Sequence, residues 1–202
     1  MQKKQIILKF FCLIFIIILF FTLFSCFPQY DLSKMKGFLL TPITEETSRH
    51  NISLFLLTKD EILSYFGFTK GTTPYIYPND LISEKKYFNV FVLDFDKQVY
   101  KDKKIKVSAI IFKSDVKGVP YTMSSLISFW QKNAPDDEAF ETMLLPRIEQ
   151  TYLPDDEFNI SKKNRFIFCI LSNKDFNDLS SFMVMINALV DNSPITLAFE
   201  KK

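Results

Sequence analysis

Few residues in this chain of 202 can do chemistry, and their types limit what that chemistry is. His50 is the one histidine. A single imidazole cannot build a His-rich metal site or an H-E-x-x-H zinc helix, and it leaves most Ser-His-Asp and Cys-His schemes without a base. It stands beside Arg49 in a polar stretch and reads as a solvated residue. Among the carboxylates, Asp94 and Asp96 lie two apart at the end of a strand-like run, hence on one face. Such a pair could do general acid–base work if its surroundings drove the two pKa values apart. With Asp102 they bracket a connection lacking the glycine and the closing glutamate of a calcium loop, and they read as solvated hairpin carboxylates. Asp136-Asp137-Glu138 suits the positive end of a helix dipole, and Asp155-Asp156-Glu157 reads as loop. Cys169, inside the apolar run 165–171, reads as a buried thiol of a core strand. Tyr75, Ile76 and Tyr77, between Pro74 and Pro78, make the best candidate for an exposed contact loop; the alternative is packing over a sheet edge. No catalytic residue, metal site or cofactor is expected.

The glycines add a second exclusion. There are four, at 37, 67, 71 and 118, where average usage of roughly 7% would give about fourteen. Neither G-x-G-x-x-G nor G-x-x-x-x-G-K can be written, so the usual backbone cradles for nucleotide phosphates are absent.

The chain opens Met1-Gln2-Lys3-Lys4, continues with an uncharged, apolar run over residues 10–24 in which Thr22 is the one hydroxyl, and reaches Leu23-Phe24-Ser25-Cys26. A basic start, an apolar stretch and a small residue before a cysteine describe an export signal. This segment resembles the lipobox of a bacterial lipoprotein precursor. Leu23 fills the apolar slot and Ser25 the small one, while Phe24 departs from the usual small or β-branched residue, as in the loose lipoboxes of spirochaetal lipoproteins. The resemblance covers this segment alone and assigns the remaining chain to no family. It implies cleavage after Ser25, a lipid on Cys26, and anchorage to a membrane through acyl chains. Phe27, where an aspartate would retain the product in the inner membrane, turns the expectation to the outer membrane. Two other readings stay open: an uncleaved helix over residues 6–27, roughly 20 residues being enough to span a bilayer, and plain secretion.

Removing residues 1–25 takes away Lys3, Lys4 and Lys9 and no acid, so the formal charge of +2 becomes −1. A near-neutral domain shows no electrostatic footprint for nucleic acid. The expected organisation is a signal peptide over 1–25, a lipidated cysteine and tether over 26–50, and one globular domain over 51–202.

The elements that would position these residues follow from periodicity. Runs 52–57, 87–94, 105–113, 164–171 and 195–199 read as strands, and 147–153 as a short one. Phe88, Val90 and Val92 oppose Phe91, Leu93 and Phe95, so the second run is apolar on both faces and must be covered on both. Thr58 and Glu61 have capping-box spacing ahead of a short helix. Met123, Leu126, Ile127 and Trp130 stand at i, i+3, i+4 and i+7 behind a natural N-cap, Thr122. A second helix over 138–145 is closed by Pro146. Residues 175–190 read as helical, with a buried strand around 182–186 left open. Together these make an α+β domain, a mostly antiparallel sheet with helices packed against it.

The expected function is a non-catalytic binding or interaction module of the cell envelope, meeting an unknown protein or envelope component within reach of its anchor. The alternatives are a periplasm-facing structural or assembly accessory and an enzyme built on the carboxylates.

Overall fold

Strand pairing in the computed structural model divides the apolar runs between two antiparallel sheets of five strands. The structure describes residues 31–66, 73–79, 85–160 and 163–202. In chain order the elements are β1 (Phe38–Leu39), β2 (Thr41–Pro42), α1 (Glu45–Arg49), β3 (Ile52–Leu56), α2 (Lys59–Phe66), β4 (Tyr87–Phe95), α3 (Lys97–Tyr100), β5 (Lys104–Lys113), β6 (Gly118–Tyr121), α4 (Met123–Asn133), α5 (Asp137–Ala139), α6 (Leu145–Thr151), β7 (Phe158–Asn159), β8 (Arg165–Ser172), β9 (Phe182–Val190) and β10 (Ser193–Lys201). One sheet runs β1-β3-β4-β8-β6 and the other β2-β10-β9-β5-β7. The class is α+β, as the sequence predicts, with two sheets where one was expected.

The two-sided apolarity of β4 dictates the layering. Its register with β8 sets Phe91 opposite Phe168 and Val92 opposite Ile167. Phe91 stacks on Phe168 at 5.0 Å between ring centroids and meets Phe182 of the second sheet at 6.2 Å, edge to face. Phe95 meets Phe158 of β7 in the same way. This face of β4 therefore packs on the second sheet. The opposite face carries Phe88, which meets Tyr77 and Phe129, the latter on α4. The first sheet is thus the middle layer, with the second sheet on one side and helices on the other. In the second sheet, β9 alternates buried and half-exposed residues from Phe182 to Ala188, so its outer face meets solvent.

Several elements differ from the sequence expectation. Residues 175–190 are not a helix. A single 3-10 turn, Phe176–Asp178, precedes β9. The apolar positions fit both periods, and pairing with β10 decides between them: Asp191 and Asn192, both at positive φ, form a two-residue hairpin turn of the kind that matches strand twist. Pro146 does not close a helix either. A π-turn, Phe140–Leu144, absorbs the missing proline N–H, and α6 continues over the expected short strand at 147–153. β4 and β5 form no hairpin but lie in different sheets, with α3 between them. Finally, residues 31–50 are not tether. Residues Asp31–Lys202 form one unit, in which β1 pairs with β3 and β2 with β10. The described fold begins five residues after Cys26. Ser25 and Cys26, with the rest of the expected signal peptide, lie outside the described residues. No helix among the described residues is long and apolar enough to cross a membrane.

Asn89 is the buried polar residue that ties the sheets' connection to β4. Its Nδ2 donates to the carbonyls of Ile170 (3.3 Å) and Lys174 (3.0 Å), and its Oδ1 accepts from the N–H of Phe176 (2.6 Å). Asn89→Ala removes the partner of the buried Phe176 N–H and of the part-buried Lys174 carbonyl and is expected to lower stability by roughly 2 kcal/mol. Urea denaturation measures this; a midpoint within error of the parent's shows that water replaces the amide.

Candidate functional site

A groove of about 320 Å³ opens between β5 of one sheet and β6 of the other. Its location follows from strand order. β9 covers one edge of β5 along its length, while β7 covers only Lys104 and Ile105 of the other edge. Among the described residues β6 pairs with β8 alone. Two open sheet edges therefore converge. The register of β5 shifts between Val107 and Ala109, so Ser108 bulges outward and donates its hydroxyl to the Asn187 carbonyl at 3.1 Å. The extra residue also switches the phase of the strand: Ile105 and Val107 face inward before it, opposite Val190 and Ala188, and Ile110 and Phe112 after it, opposite Ile186 and Val184. Val107, Ile110, Pro120, Leu153, Pro154 and Phe168 make an apolar lining; Lys106, Thr122 and Asp155 stand at its rim.

The polar groups around the groove are already bonded to one another. The Tyr152 ring is buried, its hydroxyl donates to the Tyr121 carbonyl (2.7 Å) and accepts from the Cys169 N–H (3.0 Å). Burial, with smaller contributions from Cys169 and Tyr75, pushes the Tyr152 phenol well above its ordinary range, and burial also raises Tyr121. The Asp155 carboxylate accepts from the N–H groups of Met123 (2.7 Å) and Ser124 (2.9 Å) and from the Ser124 hydroxyl. It thus occupies the positive end of α4, while Thr122 Oγ1 caps the next N–H, that of Ser125, at 3.1 Å. The arrangement shapes a surface and fixes it. What it offers a ligand is apolar contact, the rim charges and the open strand edges.

Of the two readings of the 74–78 segment, the tyrosines take packing against the sheet and not the exposed contact loop. Tyr75 and Tyr77 are buried, and only Ile76 is partly accessible. The Trp130 indole donates to the Pro74 carbonyl at 2.8 Å, clamping the segment onto α4. Thr151 Oγ1 donates to the Arg147 carbonyl and so must accept from the Tyr75 hydroxyl. Tyr77 packs on Phe88 and Phe129. The alternating prolines that suggest a protruding loop instead hold the rings over the helix-facing side of the first sheet.

Asp94 and Asp96 serve separate structural tasks. Asp94 Oδ2 lies 2.7 Å from Arg165 NH2, and its Oδ1 accepts from Asn164. Asp96 caps α3 through the Gln98 N–H. Cys169 is a free, fully buried thiol, and burial raises its pKa. His50 contributes its carbonyl, which accepts from the Tyr100 hydroxyl at 2.8 Å. Among the described residues no group of three His, Cys, Asp or Glu side chains could hold a metal ion.

Comparison with known proteins returns no matching family model, no similar curated protein and no similar solved structure. Function rests on the geometry.

One titratable group near the groove stands apart. Lys163 Nζ lies 3.5 Å from the Tyr152 carbonyl and 4.3 Å from the Phe166 ring centroid. Burial lowers its pKa from 10.5 to about 7. Between those values the unfolded chain binds a proton that the folded chain does not, so stability rises with pH across that window. Lys163→Met is expected to flatten this rise and to raise the melting temperature at pH 7. Parallel slopes for parent and variant, in thermal melts over pH 7 to about 10, show that the amine is solvated.

Proposed function

We propose that the protein is a lipid-anchored lipoprotein of the cell envelope, at the outer membrane, and acts there as a non-catalytic binding module. The groove between β5 and β6 carries the binding half of this reading. It combines an apolar lining with two strand edges that, beyond Ile105 on β5, have no ladder partner among the described residues; these are the two features by which an extended segment of another protein is held: backbone hydrogen bonds for affinity, side-chain pockets for specificity. The phenol and carboxylate beside it are engaged in holding backbone, which suits recognition better than acid–base work. The anchoring half is supported by Leu23-Phe24-Ser25-Cys26 and the basic and apolar segments before it.

Tethering makes modest affinity sufficient. Two or three acyl chains, as the lipobox resemblance implies, keep the domain at the membrane, since each buried methylene contributes about 0.8 kcal/mol. A partner in the same envelope layer meets the groove at high effective concentration.

Two arms of one experiment in intact cells test the halves separately. Metabolic labelling with a fatty acid is expected to mark the parent and to vanish in Cys26→Ala; label that persists defeats the anchor. A photo-crosslinking residue at Lys106, on the groove rim, is expected to give a discrete adduct, and one at Glu46 on α1 is not. Adducts from Glu46 alone, or from neither position, defeat the groove.

A further inference from the structure

The open edge of β5 carries a charge pattern that its bulge creates. Lys106 and Lys113, both exposed, stand at the two ends of the stretch that β7 leaves uncovered. Seven positions apart, they would point to opposite faces of a regular strand. The extra residue at Ser108 brings them to one face, opposite Leu189 and Met183 on the outer side of β9. Between them Val107, Ile110 and Phe112 turn inward, opposite Ala188, Ile186 and Val184. Neither lysine has an ion pair among the described residues, whereas Lys104 is paired with Glu157 at 3.1 Å. We infer that the groove takes an extended peptide segment that pairs with the β5 edge and carries an acid at each end of an alternating apolar core, acid-apolar-x-apolar-x-apolar-acid.

The inference deepens the binding reading and rests on it. Register fixes the spacing. β9 meets the eight residues from Lys106 to Lys113 with seven of its own, Met183 to Leu189. A strand added to the other edge, with no bulge of its own, spans them in seven as well. Its first and last residues then stand beside Lys106 and Lys113, and its second, fourth and sixth turn inward toward Val107, Ile110 and Phe112. Val107 and Ile110 line the groove with Pro120 and Leu153, and Phe168 contributes to the same lining.

Charge selects the ends, since opposite charges directly across a ladder support it and like charges oppose it. The acids already near this edge do not serve the two lysines. Asp155 spends its oxygens on Met123 and Ser124. Asp115 accepts from the Ser114 hydroxyl at 2.8 Å and shares its turn with Lys117, and Asp156 lies outside the groove lining. The β5 of a second copy, laid antiparallel in matching register, would set Lys106 against Lys113 at both ends, so the edge is guarded against its own kind. β6 is the poorer acceptor, with four residues, one of them Pro120, which has no N–H to give.

The test uses the full-length protein in detergent micelles, with empty micelles as blank, and two fluorescently labelled peptides, Glu-Val-Thr-Val-Thr-Val-Glu and Lys-Val-Thr-Val-Thr-Val-Lys. By anisotropy the acid-ended peptide is expected to bind at least about fivefold more tightly. In the double variant Lys106→Glu, Lys113→Glu the order is expected to reverse. Both side chains are exposed, and an unchanged melting temperature reports that the variant keeps its fold. An acid-ended peptide N-methylated at every valine and threonine is expected not to bind, because it cannot donate to the ladder. Equal binding of the two peptides, or a preference that survives the charge reversal, overturns the acid-ended pattern and leaves the groove standing as a strand acceptor. Binding that survives N-methylation is attraction without a ladder and overturns the inference. Binding of neither peptide overturns it too, and the crosslink at Lys106 in cells then decides separately whether the groove holds a partner.

Discussion

Strand β4 can be left to water on neither face. Phe88, Val90 and Val92 point one way, Phe91, Leu93 and Phe95 the other, and all six are buried. Each contributes about 1.5–3 kcal/mol on full burial, so exposing one face would cost an amount comparable with the whole stability of an ordinary domain, about 5–15 kcal/mol. Both covers must therefore exist. The second sheet supplies one through Phe182, Phe158 and the Phe176 turn. The helices supply the other through Phe129, Trp130 and the tyrosines of the 73–79 segment. The groove is a consequence of this stacking. Two twisted sheets laid face to face do not end together, and at the β5 and β6 edges the space between them stays open.

Elements whose pattern carried a single reading were legible in the chain. β4, β5, β8 and α4 stand where periodicity puts them, and Trp130 is the core anchor that its spacing predicts. The Thr58–Glu61 capping box forms as written, with Thr58 N–H donating to Glu61 Oε2 at 2.8 Å. The failures came where two periods overlapped or where a partner far along the chain decided. Phe182, Val184, Ile186 and Ala188 satisfy a strand as well as Phe176, Leu179, Met183 and Ile186 satisfy a helix. The Asp191-Asn192 pair was the available signal, since two adjacent residues tolerant of positive φ between apolar runs mark a hairpin. Pro146 misled because a π-turn, which leaves no local trace in composition, absorbed it.

The groove was illegible for a different reason. Its parts come from β5, from the β6–α4 junction and from the segment after α6, and no two of these are neighbours in sequence. Tyr121 and Tyr152 are 31 residues apart and meet only because β6 and the end of α6 both lie against β8. Asp155 looked like one of many loop carboxylates; its work on the α4 terminus depends on a fold that local pattern does not contain. Conversely, the Pro74–Pro78 segment advertised itself as a surface loop through composition alone. Aromatic rings between prolines are as well suited to capping a hydrophobic face as to reaching into solvent, and here a carbonyl bonded by Trp130 settles the matter.

Arg165 shows how entry and core are made one body. It sits directly across from Asp94 in the β4–β8 ladder and pairs with it through NH2, while NH1 reaches three carbonyls of the entry segment. A lysine ammonium is a compact point charge and could not replicate this fork, whose planar nitrogens aim in two directions at once. Glu61 repeats the device with its two oxygens, one on Thr58 and the other on Gly37. At Gly37, φ is +57° and a Cβ would lie 2.9 Å from the Leu56 carbonyl oxygen, so both the turn and the close approach require glycine. Two charged side chains rooted in the middle sheet and in α2 thus hold residues 31–37, which would otherwise swing. The first described residues are thereby made part of the domain, through one charged fork on β8 and another on α2.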